Sequence, residues 1–261
     1  MTWFYLGALP AARQHLEDGI ARYTPDQRRA PVFRIGNDLG VGRRQFAALT
    51  LCLLGYPAQA LARLHEALTL AHELSHPSSL AFARCWAALV YQLRRDVPVV
   101  HEHAEAAVAL VTEEGFPKWA AWGTSSRGWA LARQGQGEEG LTQVRQGIAG
   151  CRATGAALFI PYFYTLLADV CDHLGHTADG LQVLAEAHTL VEQQEERWWA
   201  AEVARLRGIV LLRHTMPQQE EAETWLRQAL DVARRQEAKA LELRAARGSR
   251  SGGSRIPRSG W

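Results

Sequence analysis

The stretch GWALARQGQGEEGLTQVRQG (residues 128–147) and the stretch ADVCDHLGHTADGLQVLAEA (residues 168–187) show the internal repeat that decides the fold. Steps of 40 residues outward from them meet one small residue in every unit: Ala48, Ala88, Gly128, Ala168 and Gly208. Three positions later the same steps meet Leu51, Tyr91, Leu131, Cys171 and Leu211. This spacing is typical of a helix that turns one face to a core.

A second set of small and large residues repeats in phase with the first. Its first column is Ala60, Val100, Gly140 and Gly180, and its second, four positions later, is Leu64, Ala104, Val144 and Leu184. A third column, three positions further, is Ala67, Ala107, Gly147 and Ala187. After a two-residue slip near Pro217 the three columns resume at Ala222, Leu226 and Ala229. Closely packed helices need a tiny residue where they cross, flanked by larger ones that interdigitate. The two sets indicate two helices per unit. The sequence therefore predicts an all-α, right-handed superhelical solenoid of antiparallel helix pairs, with a period of about 40 and no sheet.

Proline and glycine mark the helix ends of each unit. Turn signals at residues 55–57, 135–137 and 175–177 separate the two helices of a pair. Proline costs little in the first turn of a helix, where its missing N–H has no partner to lose. Six prolines are predicted just before or within such a turn: Pro57, Pro77, Pro98, Pro117, Pro161 and Pro217.

Composition favours a soluble cytoplasmic protein. Apolar residues make up 48% of the 261 residues, enough for a sizeable core, and no apolar run approaches the roughly 18 residues of a membrane span. The net charge is +2, and the four arginines of the C-terminal segment supply more than that excess, so nothing global indicates nucleic acid. The four cysteines are widely spaced, without a C-x-x-C pair or a secretory signal, which favours a reducing compartment.

The columns also predict the domain organisation. Residues 1–246 form the solenoid, with a partial repeat at 1–36, repeats at about 37–76, 77–116, 117–157, 158–197 and 198–237, and the start of a further helix at 238–246. Residues 247–261 are rich in Gly, Ser and Arg and are predicted to be a disordered basic tail. Solenoids normally carry polar capping units, and neither end supplies one. We expect a fragment or frameshifted product of a longer protein, or a natural flexible arm.

Three segments resemble the helix-turn-helix signature of tetratricopeptide repeats: LGYPAQAL (54–61), GQGEEGL (135–141) and LGHTADGL (174–181). Three others, LARLHEAL (61–68), RGWALA (127–132) and LRQALDVA (226–233), resemble the C-terminal repeat region of large bacterial signalling proteins. Those proteins carry an AAA/STAND-type predicted ATPase module, often with an adenylate or guanylate cyclase domain. The resemblance covers about residues 1–246, and its period is longer than the usual 34. It implies a regulatory or partner-binding solenoid.

The residues that could perform chemistry do not form a recognisable constellation. The sequence has no G-x-x-x-x-G-K-[ST] phosphate loop and no G-x-S-x-G turn. His72 and His76 are four residues apart, but His76 precedes Pro77 and is predicted to lie beyond the helix end. His101 and His103 point apart on a helix. The cysteines fall on apolar faces. We therefore expect no catalytic, cofactor-binding or metal-binding residue, and not an enzyme.

Nine tryptophans are the most unusual feature of the composition. They either fill the layers between helices, or one or two stand exposed in the concave groove as anchors. In tetratricopeptide arrays the groove is lined mainly by the first helices of the pairs. Applied to these columns, that resemblance implies these lining candidates: Gln45, Gln92, Trp122, Trp129, Arg133, Tyr162, Asp169, Asp172, His173, Glu202, Arg205 and Arg213.

The candidate groove leads to two hypotheses about function. Aromatic residues beside Asp169 and Asp172 predict an interaction scaffold for a peptide or protein domain that carries apolar and basic groups. The Lys/Asn set that grips a terminal carboxylate in chaperone-binding relatives is missing. The alternative is a small-molecule-sensing regulatory solenoid whose effector lies among the aromatic side chains. Membrane binding is not expected, and nucleic-acid binding would fall to the basic tail.

Overall fold

The computed structural model describes residues 1–24, 37–114, 116–214 and 218–251, and every regular element in these ranges is helical. This confirms the predicted all-α solenoid. A 3-10 turn, Arg197–Trp199, precedes α11. The helices are α1 (Thr2–Tyr5), α2 (Leu9–Ala21), α3 (Leu39–Leu54), α4 (Pro57–Glu73), α5 (Pro77–Leu93), α6 (Val97–Glu114), α7 (Pro117–Arg133), α8 (Gly137–Ala153), α9 (Ile160–Leu174), α10 (Thr177–Gln194), α11 (Ala200–Arg213), α12 (Gln219–Arg235) and α13 (Lys239–Ser251).

The helices form two layers. Within each pair, α3 packs on α4, α5 on α6, α7 on α8, α9 on α10 and α11 on α12. The first helices also contact one another along the row α3, α5, α7, α9, α11, α13, and form the inner layer. The second helices, from α4 to α12, form the outer layer.

Small residues hold the pairs together as the columns predict. Ala48, Ala88 and Ala168 are fully buried, and Gly128 and Gly208 are buried as well. The closest approach is between α7 and α8, because glycine occupies both sides of the crossing. A Cβ added to Gly128 would lie 2.7 Å from the backbone nitrogen of Val144, closer than real Cβ contacts come. The tiny side chains therefore allow backbone to pack on backbone.

The predicted helix signals are found in the structure. Five of the six prolines lie in the first turn of a helix, at Pro57, Pro77, Pro98, Pro117 and Pro161, while Pro217 lies outside the described residues. Gly55, Gly135 and Gly175 follow α3, α7 and α9 with φ of +92°, +95° and +82°, the left-handed conformation that glycine adopts without strain.

The solenoid curls until its last elements contact its first. Helix α13 packs against α3, and the Phe4 ring lies 5.1 Å from the Trp198 ring. Gly7 lies against the side chain of Gln236, whose amide donates to the Arg197 carbonyl oxygen at 2.7 Å. Phe4 and Trp198 are 194 positions apart in the sequence, and Gly7 and Gln236 are 229 apart. The inner layer is thus a closed ring, which the repeat pattern alone did not predict.

The C-terminal boundary differs from the prediction. Helix α13 continues to Ser251, whereas the solenoid was predicted to end at residue 246. Gly248 lies beyond the predicted end and is buried, and a Cβ added there would lie 3.0 Å from Ile209 Cδ1 on α11. Packing against α11 therefore orders the start of a segment whose composition alone is that of a tail. The disorder predicted for 252–261 lies outside the described residues.

The close crossing of α7 and α8 predicts opposite effects of one substitution at two equivalent positions. In Gly140→Ala the new Cβ would lie 2.6 Å from the Ala132 backbone nitrogen and would also meet the Gly128 carbonyl oxygen, so the helices must separate. We expect a loss of about 1–3 kcal/mol in the free energy of unfolding. In Gly180→Ala the atoms nearest to the new Cβ lie 3.5 Å away, so the methyl group fits. The higher helix propensity of alanine should then raise the free energy of unfolding by up to about 1 kcal/mol.

Urea unfolding followed by circular dichroism measures both changes. Equal effects of the two substitutions would contradict the backbone-contact explanation.

Candidate functional site

Aromatic side chains fill the interior of the ring near the N-terminal ends of the inner helices. The Trp86 ring lies 4.4 Å from that of Phe46 and 5.3 Å from that of Phe159, whose ring lies 4.9 Å from Trp122 and 5.2 Å from Trp198. All of these side chains are buried. We call this set, with Phe4, the aromatic cluster.

The aromatic cluster corrects part of the predicted groove. Trp122 and Tyr162 were predicted to line an open groove, but they are 2% and 0% exposed. Trp129 is buried as well. The reason is the closure of the ring, which leaves an interior only wide enough for side chains. The tryptophans of the inner helices therefore fill the space between helices and do not stand exposed as anchors. Trp3 near the N-terminus, by contrast, is exposed.

Glu196 is a buried carboxylate at the edge of the aromatic cluster. It accepts hydrogen bonds from the Phe159 backbone N–H at 2.9 Å and 3.1 Å, and from Trp198 Nε1 at 2.8 Å. Phe159 precedes α9 with φ of +69°, so this carboxylate caps a strained helix start. Burial raises the pKa of Glu196 to about 7, more than these hydrogen bonds lower it.

The opposite side of the interior is polar, and it includes the C-terminal ends of α5, α7 and α9 and the first turn of α11. Glu202 on α11 is buried and accepts from Arg205 Nε at 2.8 Å and Nη2 at 2.7 Å. Arg244 on α13 lies 2.7 Å from the same carboxylate. Burial works to raise the pKa of Glu202, but Arg205 and Arg244 outweigh it and hold the pKa below its ordinary value. The carboxylate therefore stays ionised.

Asp169 on α9 occupies the centre of this polar end. Its Oδ2 accepts from Arg95 Nη1 at 2.9 Å and from Trp129 Nε1 at 2.7 Å. Burial opposes ionisation, yet Arg95, Arg133 and the Trp129 N–H together hold the pKa of Asp169 well below its usual range. The side chains come from the α5–α6 turn, α7 and α9, so one carboxylate connects three units of the repeat.

Several charged side chains surround these two carboxylates. Arg213 pairs with Asp172, and burial raises the pKa of that carboxyl. Arg133 is half-buried and acts electrostatically on Asp169, and Arg94 is exposed beside the buried Cys52. We call this whole set the polar mouth: Arg94, Arg95, Arg133, Asp169, Asp172, Glu202, Arg205, Arg213 and Arg244.

The structure brings together part of the predicted lining set. Asp169 and Trp129 are in contact, as are Asp172 and Arg213, and Glu202 and Arg205, with Arg133 near Asp169. His173 is exposed one position beyond Asp172. Gln45 is buried, with its amide donating to the Ala83 carbonyl oxygen at 3.3 Å, and Gln92 is buried, so neither faces a groove.

Three residues important to the interior were missed. Arg95 lies in a turn with φ of +60°, outside the helical columns. Arg244 lies in a helix predicted only to begin, and Glu196 lies between two helices. None of these positions has a periodic signal, and only the partners that the closed ring supplies give them a role.

The remaining candidate chemistry consists of separated, buried groups. Cys52, Cys85, Cys151 and Cys171 are free and buried, as predicted, and burial raises the pKa of the Cys52 thiol to about 11. His76 caps α5 by accepting from the Ser79 N–H at 3.2 Å, beyond the end of α4 as predicted. Burial and Arg84 lower the pKa of His103 to about 4. Among the described residues no group of three or more His, Cys, Asp or Glu side chains could hold a metal ion.

The fold is that of a tetratricopeptide-like helical repeat protein. No family model matches the chain. An uncharacterized protein of Rhizobium meliloti (strain 1021) is 25% identical over 245 residues, which are 93% of this chain and 24% of that protein. The chain thus spans about a quarter of the length of the curated relative it matches.

Among solved structures, aspartyl phosphate phosphatase F from Bacillus subtilis superposes with a TM-score of 0.52 at 13% identity, over 83% of this chain and 63% of that chain. This similarity shows the fold. In the part of the chain that the structure describes, none of the helices is both long and apolar enough to cross a membrane.

The raised pKa of Glu196 predicts a pH dependence of stability. Between the ordinary value of 4.5 and the folded value of about 7, the folded state binds more protons than the unfolded state. The contribution of Glu196 to the free energy of unfolding therefore falls as the pH rises through this window, by up to about 3 kcal/mol. Glu196→Gln removes this dependence, so its stability relative to the wild type should rise from pH 4.5 to pH 8.

Chemical denaturation at several pH values measures the difference. Glu195→Gln, at the exposed neighbouring position, is the control. The difference between its free energy of unfolding and that of the wild type should not change with pH. If the stability difference between Glu196→Gln and the wild type were also independent of pH, Glu196 would not have a raised pKa.

The Trp129–Asp169 hydrogen bond predicts unequal costs for two tryptophan substitutions. Trp129→Phe removes a hydrogen-bond donor to an ionised carboxylate. We expect this to lower the free energy of unfolding by about 1.5–3 kcal/mol, in addition to the packing lost with the smaller ring. Trp122→Phe is the matched control, because its buried Nε1 has no hydrogen-bond partner and only packing is lost. Urea midpoints at pH 7 compare the two variants, and a larger loss at Trp122 would contradict the role of the hydrogen bond.

Proposed function

We propose that this chain is a non-catalytic interaction scaffold that binds a peptide or a protein domain. The observation that carries the proposal is the polar mouth, where side chains from α5 to α13 converge on one face of a closed helical ring. Solenoids of this class use surfaces assembled from several repeats to bind partners. Arginine is among the residue types that most often carry binding energy at interfaces, and the mouth presents six.

The absence of catalysis is part of the proposal, and the state of the ionisable groups supports it. The Asp169 and Glu202 carboxylates are held ionised by arginine, with pKa values below the range of a general base at neutral pH. The Cys52, Cys151 and Cys171 thiols have pKa values of about 11 and stay protonated. These groups suit structure and recognition better than proton transfer or nucleophilic attack.

We further propose that the scaffold is the regulatory region of a bacterial signalling protein of the ATPase or cyclase type, located in the cytoplasm. The resemblance of residues 61–68, 127–132 and 226–233 to such repeat regions supports this context. The relative from Rhizobium meliloti is a much longer protein, which agrees with a solenoid attached to other domains. Free, buried cysteines agree with a reducing compartment.

A small-molecule sensor is the competing function, and one observation favours it. A pocket of about 380 Å³ on the outer face between α4 and α5 has the volume of a typical ligand site. It is lined by Leu68, Thr69, His72, Glu73, Leu80 and Arg84. The aromatic interior that first suggested a sensor is filled, so an effector would bind at a surface pocket such as this one.

The test of the scaffold starts from the upstream reading frame of the gene. We expect it to encode an ATPase or cyclase module that forms a stoichiometric complex with this chain, measured by calorimetry with a Kd of about 1 μM or tighter, equivalent to about −8 kcal/mol. An unrelated helical repeat protein of the same size is the control and should not bind. The chain alone should turn over neither ATP nor GTP.

Two results would contradict the scaffold. One is a failure of every such module to bind. The other is a thermal shift of several degrees with a metabolite that is lost in Arg84→Gln, which would favour the sensor, because a bound ligand stabilises the native state by mass action.

A further inference from the structure

The polar mouth has more positive charge than its carboxylates neutralise. At its centre, three guanidinium groups, those of Arg95, Arg205 and Arg244, face only two carboxylates, those of Asp169 and Glu202. The Asp169 side chain is 14% exposed and already accepts two hydrogen bonds. The Glu202 side chain is 2% exposed and already has three hydrogen-bond or ion-pair contacts. The chain as a whole is close to neutral, so this excess is a local feature.

Arg244 shows the imbalance most directly. Its Nη2 contacts Glu202, while its Nη1 is buried and has no hydrogen-bond partner. Leaving a buried donor unpaired destabilises the folded state, and more so when the donor belongs to a charged group. Burial also lowers the pKa of Arg244 to about 10, against the favourable effect of Glu202. An additional anion beside this group would offset both penalties.

Two further arginines at the edge of the mouth are available to a ligand. Arg94 is exposed and Arg133 is half-buried, and neither forms an ion pair with any of the residues that the structure describes. Arg213 also lies at the edge, but its charge is matched by Asp172. The accessible part of the mouth therefore presents the positive charges of Arg94 and Arg133, and Arg95 is a little over one-third exposed.

We propose that the polar mouth binds an acidic segment of the partner protein, with carboxylates of that segment paired to Arg94, Arg95 and Arg133. The inference deepens the proposed scaffold function and rests on it. Planar guanidinium groups match the geometry of carboxylates and bind them through two parallel hydrogen bonds. The sequence predicted a basic ligand from Asp169 and Asp172, but arginines of this chain already neutralise both, which reverses the sign of the charge that the mouth attracts.

The charge pattern favours an acidic protein segment over a nucleic acid. Binding a phosphate backbone takes a row or stripe of cations along a surface. Here the cations are gathered within one mouth, interrupted by Asp169, Asp172 and Glu202, and do not form such a row. A short segment that carries one or a few carboxylates fits this arrangement.

The test uses a fluorescein-labelled hexaglutamate peptide and the whole chain, with binding measured by fluorescence anisotropy. We expect saturable binding that weakens at least tenfold in Arg94→Gln/Arg133→Gln. The matched control, Arg227→Gln/Arg235→Gln, removes the same charge from exposed positions on α12 and should bind as the wild type does. Hexalysine and a glycine-serine peptide should not bind. Circular dichroism checks that each variant is folded.

Four results would overturn the proposal. They are no binding of hexaglutamate to the folded chain, equal weakening by both double variants, tighter binding of an oligothymidylate of equal charge, and release of the peptide by millimolar inorganic phosphate but not by chloride at the same ionic strength. The third would indicate a nucleic-acid surface and the fourth a site for a small free anion.

Failure of this inference is distinguishable from failure of the scaffold function. If the upstream module binds equally well to the wild type and to Arg94→Gln/Arg133→Gln, the scaffold stands and the polar mouth is not its docking site. If no module binds, the scaffold itself fails.

Discussion

The architecture depends on backbone contact where paired helices cross. A glycine or alanine at each crossing lets one helix lie against the backbone of the next, and the approach is closest where Gly128 meets Gly140. Where glycine lies on both sides, as at Gly128 and Gly140, a methyl group could be added only by separating the helices. With each pair held this tightly, successive first helices also contact one another, and their row bends until α13 reaches α3.

The closed ring explains why the interior has two chemically different ends. Large apolar rings from the N-terminal parts of the inner helices exclude water and fill one end. At the other end the helix C-termini, which carry partial negative charge, are surrounded by arginines such as Arg95, Arg133 and Arg213. Buried carboxylates such as Glu202 then bind arginines from different units to one another. The same electrostatics that hold the ring together concentrate charged side chains at its polar end.

The sequence predicts what depends on local spacing. Columns such as Ala48 to Gly208 repeat because each unit meets its neighbour in the same way, so they define the helix pairs and their buried faces. Proline and glycine positions predict the helix ends for the same reason. The ring closure has no such signal, because the contact of Phe4 with Trp198 occurs once and joins distant parts of the chain. Tryptophan is equally suited to cores and interfaces, so Trp122 could be assigned to a groove until the closure showed its burial. The sign of the mouth's charge depends on Arg95 and Arg244, whose roles arise only from the closure.

The contact of α13 with α3 also limits how this protein can change in evolution. In an open solenoid each unit touches only its neighbours, so units can be gained or lost at little cost to the others. Here an inserted helix pair would separate the two ends of the inner row and expose the rings of Phe4 and Trp198 to water. A deleted pair would force the ends to overlap. The circumference of the inner layer therefore constrains the number of helix pairs that lie between α3 and α13.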